Sequence, residues 1–318
     1  MLIPFDASVV TIGKFEAIHL GHQALLRKVA SHAKAAGIPS IVIKFEPHPL
    51  RFLCDPNYKP IFTDAERHEL IRAFDIDYII TYDFDAEFAA MSAENFCREI
   101  FEGCLPREII VGENYRFGKN RTGTIETLRT AAKAHGTVLN VIKTVSNIQS
   151  EGANAISTSR IREFLDAGEF AEAENLLGFP FFVSGEVAHG RKLGRTLGFP
   201  TLNLYPAAEK FLPTNGVYET RTHIQGQLLP SLTNIGVRPT VSAEAQISAE
   251  THIPALISTP DEMYGKHIKV EFVRFIRPER KFSNTQELQE QIAKDLGALP
   301  QSPENSKGEK NENSHRCF

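Results

Sequence analysis

Val9-Val10-Thr11-Ile12-Gly13 is a β-prone run that ends in a glycine, and an apolar helical pattern follows it over residues 22–36. The helical pattern rests on Ala24, Leu25, Leu26, Val29 and Ala33, which recur on one side. Strand and helix patterns then alternate as far as residue 142. This alternation predicts a parallel sheet with helices on both faces.

The further strands of this sheet are predicted at residues 38–45, 78–82, 108–111 and 138–142, and helices at 66–74, 93–101 and 125–135. Ligands of such sheets bind beyond the carboxyl ends of the strands. The loops after Ile12, Phe45 and Val111 are therefore expected at the binding edge.

The pattern changes after about Gly178. Short β-rich runs take over, separated by turn residues, at 181–187, 216–223, 229–235 and 267–275. They predict a small antiparallel barrel or sandwich, which a helix over residues 285–296 completes. We expect two domains, residues 1–180 and 181–298. The polar segment 299–318 is expected to be disordered, because it lacks apolar periodicity.

Composition excludes several classes of protein. The 318 residues are 42% hydrophobic and 23% charged, as in globular proteins, and the net charge of −4 argues against a dedicated nucleic-acid binder. No apolar run approaches the roughly 20 residues that a membrane-spanning helix needs. The start of the chain has no signal-peptide pattern, and the four cysteines form no Cys-x-x-Cys pair. A cytoplasmic protein without a membrane partner is expected.

His19-Leu20-Gly21-His22 lies between the first predicted strand and helix. A helix N-terminus favours negative charge, and imidazoles can donate hydrogen bonds to phosphate oxygens. The motif therefore predicts an anion site. Two alternatives stay open, a zinc-binding pair and ordinary surface histidines.

Three further motifs carry polar or rigid groups. Ser157-Thr158-Ser159-Arg160-Ile161-Arg162 precedes and opens a predicted helix over residues 160–166, so its hydroxyls either cap the helix or hold a phosphate together with an arginine. Asn114 follows the strand that ends at Gly112, and Phe45-Glu46-Pro47-His48-Pro49 offers a rigid aromatic and proline wall.

The second domain contains His189-Gly190-Arg191-Lys192-Leu193-Gly194-Arg195-Thr196-Leu197-Gly198-Phe199-Pro200-Thr201-Leu202-Asn203. Glycines allow a backbone to approach phosphates closely. Thr201 and Asn203 point the same way on an extended segment, and both offer the oxygen ligands that Mg²⁺ prefers. The stretch predicts a phosphate loop beside a magnesium site. The alternative is a glycine-rich hairpin with a solvated basic tip.

Together these motifs resemble the prokaryotic bifunctional riboflavin kinase/FMN adenylyltransferase family, over residues 8–298. Besides the motifs above, the likeness rests on Gly112 to Gly118, Gly216-Val217-Tyr218, Asn234-Ile235-Gly236-Val237-Arg238-Pro239-Thr240, Glu250-Thr251-His252, Tyr264-Gly265-Lys266 and Arg277-Pro278-Glu279. The resemblance implies a Rossmann-like α/β nucleotidyltransferase domain of the His-x-Gly-His type, followed by a six-stranded antiparallel β-barrel riboflavin kinase domain.

The resemblance also implies two Mg²⁺-dependent reactions. Riboflavin and ATP give FMN and ADP, and FMN and ATP then give FAD and pyrophosphate. The substrates would be riboflavin, FMN and ATP, while the oligomeric state is not implied.

Residue roles come with the resemblance. In the first domain, His19 and His22 would stabilise the transition state, within an ATP and phosphate site made of Gly13, His19, Gly21, His22, Asn114, Ser157, Thr158, Ser159 and Arg162. The flavin would contact Phe45, Pro47 and His48. In the second domain, Glu250 would be the base and Thr201 and Asn203 the metal ligands, beside an ATP site of Gly190, Lys192, Gly194, Gly198, Thr201 and Asn203.

Some positions depart from the family pattern. The family often has Asn-Phe-Asp-Gly where this chain has Lys14-Phe15-Glu16-Ala17, so Lys14 replaces Asn and Glu16-Ala17 replaces Asp-Gly. Residues 254–260 replace the usual Leu-Asp-Phe. Leu202 is expected to point away from the metal by strand alternation. Two other hypotheses remain, a riboflavin kinase whose first domain has lost its activity and a flavin- or nucleotide-binding regulatory protein.

Overall fold

The computed structural model describes residues 5–143, 156–190, 193–239, 245–256 and 260–299. The chain divides into two compact units, Met1–Thr158 and Ser159–Phe318. The predicted tail, apart from Leu299, lies outside the described residues.

The first unit is built on a parallel sheet of five strands, in the order β3-β2-β1-β4-β5. The strands are β1 (Ser8–Ile12), β2 (Ser40–Glu46), β3 (Tyr78–Asp83), β4 (Pro106–Gly112) and β5 (Val138–Ile142). Each neighbouring pair is parallel. The chain winds one way from β1 to β3 and the other way through β4 and β5, so the strand order reverses beside β1. This reversal opens a crevice at the carboxyl ends of β1 and β4.

Six α-helices connect these strands as the structure describes them: α1 (Leu20–Ala36), α2 (Pro49–Leu53), α3 (Asp64–Arg72), α4 (Ala86–Ala90), α5 (Ala93–Cys104) and α6 (Ile125–Ala134). Their ends follow the sequence: Thr63 and Glu66 form a capping box at α3, and Gly37 ends α1 in a left-handed conformation. Val10 and Ile12 pack in one buried cluster with Phe96 and Ile100 of α5. This packing fixes the loop that leaves β1.

The second unit is a curled antiparallel sheet in the order β6-β11-β8-β9-β10-β7. Its strands are β6 (Phe182–Glu186), β7 (Thr201–Leu204), β8 (Gly216–Ile224), β9 (Gln227–Pro239), β10 (Ala245–His252) and β11 (His267–Arg277). An antiparallel bridge between Ala188, just beyond β6, and Asn203 of β7 joins the two edges. The predicted antiparallel barrel architecture is confirmed.

The helices of this part of the chain are α7 (Thr158–Ala167), α8 (Phe170–Leu177), α9 (Leu193–Thr196), α10 (Pro260–Met263) and α11 (Thr285–Gly297). Helix α7 begins one residue before the boundary between the units. Phe170 of α8 packs its ring against Phe181, Tyr218 and Phe272 of the barrel. Helix α8 is therefore part of the barrel's core.

The predicted strands and helices correspond to observed elements, with ends that differ by a few residues. The structure adds α2, α4, α8, α9, α10, β7 and β10, which were not predicted as elements.

Candidate functional site

The N-terminus of α1 holds both histidines of the His-x-Gly-His motif. His19 is the N-cap residue, and its Nδ1 accepts a hydrogen bond from the backbone N–H of His22 at 3.3 Å. The two rings stack, with centroids 3.8 Å apart and planes 15° apart. A Cβ on Gly21 would lie 3.1 Å from Cε1 of His19, so the glycine leaves room for this stack.

Both imidazoles are neutral at physiological pH. Burial lowers the pKa of His19 to about 4. Burial also lowers the pKa of His22 well below its usual value, and the neighbouring His19 lowers it further by a smaller amount. Because Nδ1 of His19 is an acceptor, its proton is on Nε2, which can donate to an anion. Nδ1 of His22 is buried and has no hydrogen-bond partner among the described residues. The pair offers uncharged polar groups at the positive end of a helix.

The loop after β1 tolerates its departures from the family pattern. Phe15 and Ile18 take left-handed backbone angles, with φ of 45° and 47°, whereas Ala17 is outside that region. Ala17 is fully buried, so its methyl group packs in the loop without backbone strain. Gly13 lies against the Phe15 ring, where a Cβ would be 3.1 Å from Cε2.

The loops after β2 and β4 flank the loop after β1, because the sheet order is β2-β1-β4. Phe45 packs against Phe84 and Phe88, and Pro47 follows a cis peptide bond. His48 caps α2 through its Nδ1, and Asn114 is exposed in the turn after β4. The structure thus brings these predicted residues to one edge of the sheet.

The Ser157 to Arg162 motif is divided by the boundary between the units. Ser157 and Thr158 belong to the first unit, and Ser159 and Arg162 to the second. Ser157 immediately precedes α7, and the guanidinium of Arg162 lies 4.8 Å from the centroid of the Phe211 ring. That these residues bind a phosphate remains a prediction.

In the second unit, strand register gathers the predicted kinase residues. Glu250 of β10 pairs directly with Asn203 of β7 on one side and with Asn234 of β9 on the other. Two residues along the same two strands, Thr201 pairs with His252. Directly opposed residues and those two apart share a face of the sheet, so all five side chains lie on one face. Leu202, between Thr201 and Asn203, is buried on the other face, as predicted from strand alternation.

The glycine-rich loop is held close to these strands. A Cβ on Gly190 would lie 2.3 Å from Nδ2 and 2.7 Å from Oδ1 of Asn203, so only glycine fits against that amide. A Cβ on Gly194 would lie 2.3 Å from the carbonyl oxygen of Phe199, and Gly198 has a φ of +84°. Lys192 lies outside the described residues.

The donor set on this face fits a hard divalent cation. A hydroxyl (Thr201), an amide (Asn203) and a carboxylate (Glu250) supply oxygen atoms, which Mg²⁺ prefers to nitrogen or sulfur. Asn203 is only 5% exposed, and Gly190 packs directly against its amide, so the glycine-rich loop and the proposed metal ligand are in contact. Across the described ranges, no group of three or more His, Cys, Asp or Glu side chains could hold a metal ion.

Two contacts were missed by sequence reasoning. Asn234 donates from Nδ2 to Oε1 of Glu279 at 2.8 Å, and Nδ1 of His252 donates to the carbonyl of Pro200 at 2.7 Å. Both join residues that are 45 or 52 positions apart in the chain. The motifs around Asn234 and Glu250 marked these segments, but they did not show which side chains would meet.

Comparison with known proteins identifies the family. Residues 5–160 match the family model for FAD synthetase, and residues 177–302 match the model for riboflavin kinase. A bifunctional riboflavin kinase/FMN adenylyltransferase from Escherichia coli strain K12 is 36% identical over 92% of this chain and 91% of its own length. The chain belongs to the bifunctional riboflavin kinase/FMN adenylyltransferase family.

Another member of this family and a solved structure also match this chain over most of its length. The riboflavin kinase/FMN adenylyltransferase of Pseudomonas fluorescens is 32% identical over 91% of both chains. A crystal structure of a protein described as a macrolide-efflux protein from Streptococcus pneumoniae superposes with a TM-score of 0.78 and 29% identity, covering 93% of this chain and 94% of that one. Within the described part of this chain, no helix has the length and apolar character needed to cross a membrane.

Proposed function

We propose that the riboflavin kinase and FMN adenylyltransferase activities of this chain are carried out by different sets of residues. The kinase set lies on β7, β9 and β10 of the second unit, and the adenylyltransferase set begins at the loop after β1 and the N-terminus of α1. The observation that supports this best is the strand register of β7 and β10. It pairs Glu250 directly with Asn203, and it pairs Thr201 with His252, two residues from Glu250.

In the kinase reaction, Glu250 accepts the proton of the ribityl 5′-hydroxyl as that oxygen attacks the γ-phosphorus of ATP, and ADP leaves. A carboxylate suits this role because it needs only to remove the proton as the new O–P bond forms. Thr201 and Asn203 would hold Mg²⁺, which neutralises phosphate charge when bound. The glycine loop 190–198 allows the backbone to lie close to the ATP phosphates.

In the adenylyltransferase reaction, a phosphate oxygen of FMN attacks the α-phosphorus of ATP, and pyrophosphate leaves. The nucleophile belongs to the substrate, so the protein contributes positioning and electrostatic stabilisation. The Nε2–H of His19, together with His22 and the N-terminus of α1, donates to the phosphates on which charge builds up. Gly13, Gly21, Asn114, Ser157 and Thr158 of the first unit complete this proposed nucleotide site, with Phe45, Pro47 and His48 on the flavin side.

Two reciprocal variants test the assignment. From riboflavin, ATP and Mg²⁺, His22→Ala is expected to accumulate FMN without FAD. Glu250→Gln is expected to slow FMN formation by roughly 10²–10⁴-fold, while FAD still forms from supplied FMN. Chromatography of the products measures both, and each variant's remaining activity is its folding control.

Equal loss of both activities in either folded variant would contradict separate sets of residues. A kinase rate for Glu250→Gln within about threefold of wild type would remove Glu250 from the mechanism, as expected if it formed only a surface ion pair. Formation of neither product by the wild-type chain would instead support a regulatory protein without turnover.

A further inference from the structure

Glu16 has a buried carboxylate with several partners from distant parts of the first unit. Only 3% of the residue is exposed. The hydroxyl of Tyr58 donates to both carboxylate oxygens, at 2.8 and 2.9 Å. The backbone N–H of Ile61 also donates to Oε1, at 3.4 Å. A buried carboxylate is costly without such partners, so this arrangement ties the loop after β1 to residues 58–61.

His48 is the third partner of this carboxylate. Its Nε2 lies 3.1 Å from Oε2 of Glu16, and its ring stacks on Tyr58, with centroids 5.1 Å apart and planes 21° apart. Nδ1 of His48 accepts from the backbone N–H of Leu50 at 3.3 Å, so the proton of the ring is on Nε2, beside the carboxylate. Nε2 lacks a regular hydrogen bond among the described residues, so the attraction to Glu16 is electrostatic rather than a linear hydrogen bond.

A second buried side chain joins the same loops. Arg67 of α3 is fully buried, and its Nη1 donates to the carbonyl oxygen of Lys14 at 3.3 Å. The same guanidinium pairs with Glu46 at the end of β2. Arg67 therefore fixes the loop after β1 to the end of β2, and the loops after these two neighbouring strands lie at the edge where a ligand would bind.

We infer that Glu16 is a positioning residue for FMN, acting through the stacked rings of Tyr58 and His48. This rests on the proposed adenylyltransferase function, in which the loop of Phe45, Pro47 and His48 contacts the flavin. His48 is only 1% exposed and its ring stacks on Tyr58, so His48 supports the half-buried Tyr58 ring, which offers the surface for a planar substrate. Glu16 contacts both rings and sets their position.

The length of Glu16 matters for this role. An aspartate, which the family often has here, would be shorter by one carbon–carbon bond, roughly 1.5 Å. From the same backbone position its carboxylate could not keep hydrogen-bond distance to Tyr58 and contact with His48 together. The longer side chain of Glu16, a departure from the family pattern, therefore allows this chain to contact Tyr58 and His48 together.

The first experiment measures steady-state FAD formation from FMN and ATP for Glu16→Asp, Glu16→Gln and Tyr58→Phe. We expect each to raise the KM for FMN about tenfold, with kcat and the KM for ATP within about twofold of wild type, because only binding of the flavin is loosened. The double variant Glu16→Gln/Tyr58→Phe should match Glu16→Gln alone, since the two groups act through one contact.

Tyr78→Phe is the matched control. It removes a tyrosine hydroxyl from β3 of the same unit, where the ring packs on Phe5, and should leave all constants unchanged. Riboflavin kinase activity, measured on the same samples, should also be unchanged. Unaltered FMN constants in all three variants would overturn the inference, as would an equal rise in the KM for ATP.

The second experiment reads His48 directly and does not depend on turnover. In ¹⁵N-histidine-labelled protein, with His48→Gln as the assignment reference, His48 should show the Nε2–H tautomer. Glu16→Gln should shift its ring resonances, and Tyr78→Phe should not. A His48 spectrum insensitive to Glu16→Gln would overturn the inference whatever the activity assay shows. A wild-type chain that makes no FAD would overturn the proposed function alone.

Discussion

His19 shows how a single buried side chain can serve both the fold and the proposed chemistry. As an N-cap it satisfies a backbone N–H of α1, and as a neutral imidazole it leaves an N–H available to an anion. Its pKa of about 4 results mainly from burial, so the ring resists protonation well below neutral pH.

This pKa predicts a pH-dependent stability for the first unit. Between pH 6.5 and 4 the unfolded chain binds a proton at His19 that the folded chain does not. Stability therefore falls as pH drops through this window, by up to about 3 kcal/mol. His19→Asn keeps a good capping residue but cannot titrate, so its stability should fall less.

Hydrogen exchange of α1 peptides at pH 4.5 and 7, corrected for intrinsic rates, measures this difference. His22 contributes in the same direction and is present in both proteins. The same loss of protection in wild type and His19→Asn would show that His19 does not carry the effect.

Gly190 is a position at which the structure leaves no room for a side chain. A methyl group there would overlap the Asn203 amide, 2.3 Å from Nδ2, and must displace it. We expect Gly190→Ala to lower kinase kcat/KM by roughly 10²-fold, as misplacement of a binding group by about 1 Å can. FAD formation from FMN should be unchanged.

Gly185→Ala provides the comparison for that variant. Gly185 lies on β6, and its added Cβ would meet Leu204 Cδ2 at an ordinary 3.9 Å. Kinase kinetics with varied Mg²⁺ would test both. Similar rates for the two alanine variants would argue that the Asn203 amide has no part in the kinase site.

Helix α5 ends at Cys104, and its C-cap residue Leu105 is exposed and takes a left-handed conformation with φ of 44°. A Cβ in that region costs roughly 1–2 kcal/mol, whereas glycine is unstrained there but loses more chain entropy on folding. Leu105→Gly should therefore stabilise the first unit by about 0.5–1 kcal/mol.

Calorimetric unfolding would register this gain as a higher transition temperature. Leu228→Gly is the control, because Leu228 is also an exposed leucine but lies in β9 with ordinary backbone angles. It should lose stability, since glycine weakens a strand. A loss of stability in Leu105→Gly as well would show that the leucine side chain contributes more than its backbone costs.

Most elements with clear apolar periodicity were predictable from sequence, whereas a strand with a polar interior was not. Strand β10 reads Ala-Gln-Ile-Ser-Ala-Glu-Thr-His, with no β-rich signal. Its inward Thr251 is buried because its hydroxyl bonds to Thr233, which in turn bonds to Thr220. Such hydroxyl pairs make a barrel interior that hydrophobicity does not reveal.

In the candidate site, too, some features were predictable from sequence and others were not. Motifs that are contiguous in sequence, such as His19 to His22 and Thr201 to Asn203, predicted their own local arrangement. The contact between Glu16 and Tyr58 spans 42 residues, which include α1, β2 and α2, so no local pattern indicated it. Sequence marked Glu16 only as a departure from the family, while the structure shows what its extra length reaches.

The C-terminal tail is expected to be dispensable for both activities. Helix α11 ends at Gly297, where Asp295 pairs with Arg277 of β11 at 2.7 Å and fixes the last helix to the barrel. Deleting residues 301–318 should leave both rates within error, because the proposed catalytic residues all precede the tail. A large fall in either rate on the truncated chain would show that the tail contributes to a site.

The boundary between the two halves differs between sequence and structure. The sequence predicts a boundary at residue 180, whereas the compact units divide after Thr158 and the family models leave residues 161–176 between them. Phe170, Ala173 and Leu177 of α8 are buried, and Phe170 stacks on barrel aromatics. Removing one such phenylalanine costs about 3–5 kcal/mol, which is a large part of a domain's stability.

A fragment of residues 159–318 should therefore fold and phosphorylate riboflavin at a rate near that of the full chain. A fragment of residues 181–318 retains every proposed kinase residue but exposes the surface that α8 covers, so it should melt lower or aggregate. Circular dichroism melting and FMN formation by the two fragments decide the matter. Equal stability and equal activity would place α7 and α8 outside the kinase domain and support the boundary at 180.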